Sequence, residues 1–359
     1  MGNEIDFQKA IDDAEKELGK VNILIAGKTG VGKSTLINAI FGEELAKTGI
    51  GKPVTQDMKE YCNEDSPIHL FDTKGFELGN YKEMAKNLKE YIHGRQTVNA
   101  EDHIHIAWYC VSSIGNRFEP EEAEFIKELQ TEIPVVLIFT QTLGENKCEL
   151  YKDIYEKYYN EITNMVTVLA EPYEINDYVV IEEFGLEELT DITYKLLPEA
   201  AQRAFAMAQK VNEELRVKSI TKIIKTAATA AGAATAIPLP FSDAIALAPI
   251  QIGMIAKISR TFGLSPDAAF LKTLVASTLG VLGATLIGRT IVSGILKLIP
   301  GIGSVAGGAI SAATAATITT IMGKAYYAAL NYLADNYEEI SPELLADTFK
   351  EQLLNTNSN

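Results

Sequence analysis

The sequence predicts two regions of different class: a mainly parallel α/β sheet domain with helices on both faces, followed by an all-α apolar domain. Three observations carry this expectation. As far as Pro198, short β-branched runs alternate with charged segments of helical period; beyond it the chain turns to Ala, Gly, Ile and Thr with long gaps between charges; and the net charge changes sign between the two. With 359 residues, 47% apolar and 22% charged, the chain has the composition of globular domains and excludes a disordered one.

In order along the chain, Ile5, Phe7, Ala10, Ile11, Ala14 and Leu18 form a helical stripe, so residues 1–19 are expected as an N-terminal helix. Strands are expected at Val21–Ala26, Ile68–Phe71, Ile104–Val111 and Val135–Phe139, with crossover helices at Glu119–Thr131 and near Tyr151–Val168, within a domain spanning 20–198. From 199 to 340 the uncharged stretches 226–242, 244–256, 273–288 and 298–323 read as helices, interrupted at Pro238-Leu239-Pro240 and Pro300-Gly301-Ile302-Gly303. A last amphipathic stretch at 325–354 leads to a frayed tail, giving a terminal segment at 341–359.

Charge divides the same way. Through Glu199 there are 19 Lys and Arg against 38 Asp and Glu, whereas the remainder carries 13 against 10. The acidic front half argues against a nucleic-acid partner, and none is expected; the basic, apolar stretch 203–325 suits an anionic surface. The opening residues are acidic, unlike the basic-then-apolar pattern of a secretory leader, so a cytoplasmic location is expected. Cys62, Cys110 and Cys148 show no metal or CxxC spacing, and His69, His93, His103 and His105 show no metal pattern; His103 and His105 are expected on one strand face.

Gly27-Lys28-Thr29-Gly30-Val31-Gly32-Lys33-Ser34 satisfies G-x-x-x-x-G-K-[ST] between an expected strand and an expected helix beginning at Thr35. Glycines let the backbone curl so that N–H groups converge on a polyphosphate, and the helix N-terminus adds positive potential. Lys33 would reach the β- and γ-phosphates, and Ser34 would place its hydroxyl on Mg²⁺. Asp72-Thr73-Lys74-Gly75 follows the Ile68–Phe71 strand, which puts the Asp72 carboxylate where it can hold Mg²⁺ and the Gly75 N–H where it can meet the γ-phosphate. Thr55, in Gly51-Lys52-Pro53-Val54-Thr55, is the candidate that joins the metal only with γ-phosphate present, with Thr48 an alternative in the same loop. Ser34, Thr55 and Asp72 thus form the expected metal set, and Lys33, Thr55 and Gly75 the expected catalytic set.

On these motifs residues 20–198 resemble the translation-factor class of P-loop GTPases, in particular Era-like, septin-like and chloroplast-import or immunity-associated GTPases. The resemblance implies a switch domain binding GTP or GDP with Mg²⁺, with Gly27, Gly32, Lys33, Ser34, Thr35, Thr55, Asp72 and Gly75 in the matching positions. It also implies base reading after Val135–Phe139, where Thr140-Gln141-Thr142-Leu143 stands. Thr140 and Gln141 fit the family's pattern, but Leu143 replaces the Asp that accepts from guanine, with Glu145 a substitute two positions on. Phe76 replaces the water-orienting Gln, so slow hydrolysis is expected, about 10⁻⁴ to 10⁻² s⁻¹ as in unassisted switches. Lys28, Lys74 and Arg117 are candidates for an assisting residue, which a second protomer of a G-domain homodimer could also supply. The back half resembles the apolar C-terminal domain that follows such a G domain in a group of bacterial GTPases, through Ile237–Asp243 and Ala248-Pro249-Ile250-Gln251. Arg216, Lys218, Lys222 and Lys225 ahead of an apolar helix favour reversible docking on anionic lipid at the cytoplasmic face, over a committed span.

Overall fold

The computed structural model describes residues 7–42, 52–55, 58–62, 67–73, 81–115, 117–143, 148–176, 179–235, 243–264, 267–271, 274, 311–337 and 340–355. Two compact units result. One is Gly19–Leu215, and the other joins the N-terminal helix α1 (Phe7–Leu18) to the described residues from Arg216 onward.

The first unit is built on β1 (Val21–Gly27), α2 (Lys33–Phe41), β2 (Lys52–Thr55), β3 (Met58–Cys62), β4 (Ile68–Thr73), α3 (Tyr81–Gln96), a 3₁₀ turn at Ala100–Asp102, β5 (Ile106–Ser112), α4 (Pro120–Gln130), β6 (Val135–Thr140), α5 (Glu149–Tyr158), β7 (Met165–Thr167), the hairpin strands β8 (Tyr173–Asn176) and β9 (Val179–Ile181), α6 (Leu186–Leu196) and α7 (Glu199–Ala208). Seven strands form one sheet in the order β2-β3-β4-β1-β5-β6-β7. From β4 to β7 all neighbours are parallel, whereas β2, β3 and β4 pair antiparallel at the edge.

Burial on both faces explains the near-continuous apolar strands. Alternation sends Ile23, Ile25, Trp108, Cys110, Val136 and Ile138 into the core shared with α2, α6 and α7, and Leu24, Ala26, Tyr109, Val111, Leu137 and Phe139 into the core shared with α3, α4 and α5. Because β1 lies centrally, its C-terminal end delivers residues 27–34 to the middle of the sheet's upper edge.

Three local expectations change. The helix expected to run through Val168 stops at Tyr158, because Met165–Thr167 pair with Leu137–Phe139 as β7. His103 follows the 3₁₀ turn and His105 precedes β5, so they share no strand; instead the His105 Nδ1 accepts the Asn22 backbone N–H at 3.0 Å. The composition changes after Pro198, but Ala201, Ala204 and Phe205 of α7 are buried in the sheet unit's core, and the two units divide after Leu215.

In the second unit α1 packs with α8 (Glu213–Thr235), α9 (Asp243–Arg260), α10 (Ala312–Asn336) and α11 (Pro342–Asn355) around Phe7, Ile11, Ile252, Ile255, Tyr326 and Phe349. Within the amphipathic stretch 325–354, α10 ends where Tyr337 turns extended, and Ser341 caps α11 by accepting from Leu344 N at 3.2 Å. The expected interruptions at 238–240 and 300–303 lie outside the described residues. Among the described residues no helix is long and apolar enough to cross a membrane.

Candidate functional site

Residues 27–34 leave β1 in a curl that needs its glycines. Gly27, Gly30 and Gly32 all take positive φ, at 139°, 78° and 89°. A Cβ on Gly27 would collide with the Cys110 carbonyl oxygen, so β5 holds the loop's entry directly from below. Gly32 is the N-cap of α2 in the left-handed conformation and makes no side-chain cap, leaving the first-turn N–H groups to the loop's concave side. Lys33 Nζ donates back to the carbonyls of Gly27 at 2.9 Å and Lys28 at 3.1 Å, which lays the ammonium across the curl. The Val31 side chain is core filling, while Thr29, Gly30 and Ser34 are exposed and Thr35 is half-buried.

Asp72 enters from the neighbouring strand, paired in register with Ile25. Burial pushes its carboxyl pKa up, opposed by the nearby charges of Lys33 and Lys59, and its buried Oδ1 has no hydrogen-bond partner among the described residues. A buried carboxylate oxygen of this kind is the donor that suits a hard cation such as Mg²⁺. Beneath them burial pushes the Cys110 thiol up to about 12, which keeps it neutral and inert.

On the far side of the loop the Thr140 hydroxyl, 3% exposed, faces the Val31 carbonyl and, at 3.1 Å, that of Val111. Thr140, expected among the base-reading residues, therefore fastens β6 to the loop. Gln141 has a φ of 54° and lies over Gly32, and its Oε1 accepts from Ser112 Oγ. Leu143 is 43% exposed.

Lys28, a candidate assisting residue, is committed elsewhere. Its Nζ lies 3.0 Å from Glu122 Oε2 and 3.5 Å from Glu119 Oε1, and those carboxylates raise its pKa against the opposing effect of burial. Glu122 is 1% exposed, accepts from Tyr109 OH at 2.8 Å and from its own capping-box N–H, that of Glu119, at 2.9 Å. The result is a tether between the loop and the start of α4. Arg117 is exposed and lines, with Lys28, Thr29 and Gly30, an open cleft of about 650 Å³ beside the loop. Thr55 closes β2 with its backbone opposite Met58. Thr48, Lys74, Gly75, Phe76 and Glu145 lie outside the described residues. Sequence reasoning missed Glu122, Cys110 and Ser112; the E-P-E-E run that builds the α4 cap was the visible signal for Glu122, but its partner Lys28 is distant in sequence.

Residues 22–141 match the family model described as 50S ribosome-binding GTPase, and residues 199–358 match the model described as Domain of unknown function (DUF697). Residues 22–141 are a P-loop GTPase domain. The DUF697 domain behind it is the helical one. The chain is 30% identical over 154 aligned residues to septin-8-A of Danio rerio, covering 36% of each chain. It is 31% identical over 130 residues to the probable GTP-binding protein EngB of Streptococcus equi subsp. zooepidemicus, covering 33% of this chain and 59% of that one. It is 28% identical over 122 residues to the tRNA modification GTPase MnmE of Actinobacillus pleuropneumoniae, covering 33% and 26%. This chain therefore spans less than two thirds of each of those relatives, from 26% to 59% of their length. Among solved structures, Aquifex aeolicus Era bound to GDP.AlF4- matches at 19% identity with a TM-score of 0.33, covering 59% of this chain and 68% of that one.

Proposed function

We propose that the protein is a slow, Mg²⁺-dependent GTPase whose nucleotide state controls the DUF697 domain. The single observation that carries the reading is the left-handed curl of Gly27–Ser34 with Lys33 across it and the unpartnered Asp72 oxygen beside it. Main-chain N–H groups of the loop and of the first turn of α2 hold the phosphates, and Lys33 transfers its hydrogen bonds from the Gly27 and Lys28 carbonyls to the β- and γ-phosphates. Ser34 and Asp72 would hold Mg²⁺, with Thr55 joining them in the triphosphate state, and the bound ion would supply positive charge to offset the charge developing on the phosphates. Water attacks the γ-phosphorus in line, and Lys33 with the Gly75 N–H stabilises the charge that spreads over the departing phosphoryl oxygens. Phe76 brings no group that orients that water, so turnover is slow without a partner.

A second reading, relaxed base preference, is favoured by one observation: Thr140 is spent on the loop and Leu143 offers no acceptor. A carboxylate lost from the guanine edge costs about 1–3 kcal/mol of discrimination. Competition between GTP and ATP for the purified chain decides between the two, a tenfold or greater preference for GTP supporting guanine reading. Control of the helical domain is proposed to include reversible docking on anionic membrane, since Lys218, Lys222 and Lys225 form one exposed stripe on α8 opposite the buried Leu215, Ile220 and Ile223. Flotation of the full chain with anionic and neutral vesicles, with GTP or GDP, tests it; equal behaviour with both vesicle types refutes docking. Single-turnover phosphate release tests the enzyme: wild type and Lys33→Ala releasing phosphate at the same rate would remove it.

A further inference from the structure

The edge hairpin β3–β4 brings together three donors of different chemistry that neither the nucleotide site nor the family comparison uses. In the antiparallel register Cys62 stands opposite His69 and Glu60 opposite Phe71, so Glu60, Cys62 and His69 all project from one face of the sheet. Their ligand atoms, a carboxylate oxygen, a thiol sulfur and an imidazole nitrogen, lie within 4.8 Å of one another, and all three residues are half-buried. The Glu60 carboxylate is already 2.7 Å from His69 Nδ1. A carboxylate–imidazole pair alone is ordinary cross-strand pairing. The thiol as third donor is what changes its meaning.

We propose that Glu60, Cys62 and His69 form a zinc-class metal site. The donor set excludes Mg²⁺ and Ca²⁺, which take oxygen ligands, and suits Zn²⁺, which accepts sulfur, nitrogen and oxygen together. Tetrahedral zinc holds neighbouring ligand atoms about 3.3–3.7 Å apart, so side-chain rotation of about 1 Å closes the cluster without moving the strands. Three protein ligands leave the fourth position to water, and the half-buried setting gives both ion and water a route in. Binding releases the thiol proton to solvent, and the neutral imidazole meets the metal through the ring nitrogen that carries no proton. The ion would staple β3 to β4 at about 10 Å along the strand from Asp72, which separates it from the proposed Mg²⁺ position.

The test uses the full chain, stripped of metal and nucleotide and kept reduced, titrated with Co²⁺ by absorption and with Zn²⁺ by calorimetry. The expected result is one equivalent bound, a sulfur-to-cobalt charge-transfer band, and an enthalpy that varies with buffer ionisation as protons leave. Cys62→Ser abolishes the band, and Cys62→Ser, His69→Gln and Glu60→Gln each weaken Zn²⁺ by at least tenfold, while Ser34→Ala leaves the site intact. In wild type Zn²⁺ also protects Cys62 from alkylation relative to Cys148, a readout that needs no variant. The proposal is overturned if no charge-transfer band forms, if the band survives Cys62→Ser, if His69→Gln binds as wild type does, or if Zn²⁺ leaves Cys62 alkylation unchanged.

Discussion

The sheet unit and the helical unit both have apolar cores but use their buried polar groups differently. In the sheet unit Asp72, Glu122 and Thr140 gather at the C-terminal ends of parallel strands, where two fasten the phosphate loop and one keeps an oxygen unpaired. In the helical unit they pair with each other across the core, Ser259 with Tyr326 at 2.7 Å and Gln251 with Thr319 at 3.2 Å. Glycines divide the same way. Gly27 serves a backbone turn, whereas Gly323 lets helices approach, a Cβ there falling 2.7 Å from Ile224 Cγ1 and 2.9 Å from the Met254 sulfur. Polar placement thus reveals chemistry in the first unit and packing in the second.

The largest effect that would sharpen this contrast is Lys33→Ala, which is expected to weaken GTP about a hundredfold or more. Calorimetric titration reads that loss, and the melting of the helical unit should stay unchanged. Gly27→Ala combines a forbidden φ with a backbone collision and is expected to cost about 3 kcal/mol or more in urea unfolding. Gly323→Ala meets the side chains of Ile224 and Met254 with no backbone collision and should cost about 1–3 kcal/mol. A reversed order would break the comparison.

Acid should act on the sheet unit through His105. Burial, with His103 adding and the Ala100 backbone opposing, pushes its pKa down to about 4. The folded state therefore prefers neutral His105, so stability present above about pH 6.5 is lost as pH falls toward 4, on the order of 3 kcal/mol in all. His105→Gln should flatten that slope. Asp72 has the opposite sign: its raised pKa means that ionisation costs folded-state stability as pH rises through the carboxylate range. Asp72→Asn should accordingly raise the melting temperature without nucleotide while removing the Mg²⁺ dependence of GTP binding. The smallest effect is expected at Gln251, whose buried Oε1 has no partner; Gln251→Met should change stability by less than about 1 kcal/mol.

How much of this was legible in sequence follows from the range of the interactions. The phosphate loop and Asp72 were legible because their chemistry is written in contiguous motifs set beside apolar strands. β7 was not, because three residues, Met165–Thr167, become a strand only through pairing with Leu137–Phe139. The Lys28–Glu122 tether joins residues far apart in sequence, and the grouping of Glu60, Cys62 and His69 depends on hairpin register, so spacing rules written for contiguous motifs pass over both. The place of α1 with the helices beyond Arg216 was equally hidden, since its apolar stripe does not say which core it fills.

In the proposed function the curl at Gly27–Ser34 and Asp72 together grip a magnesium–nucleoside triphosphate. Isothermal titration of the full chain with GTP, GDP and ATP, with and without Mg²⁺, tests it most directly. One equivalent of GTP bound in a Mg²⁺-dependent way, and lost in Lys33→Ala, is the predicted result; no saturable nucleotide binding by wild type, or binding indifferent to Lys33, would contradict it.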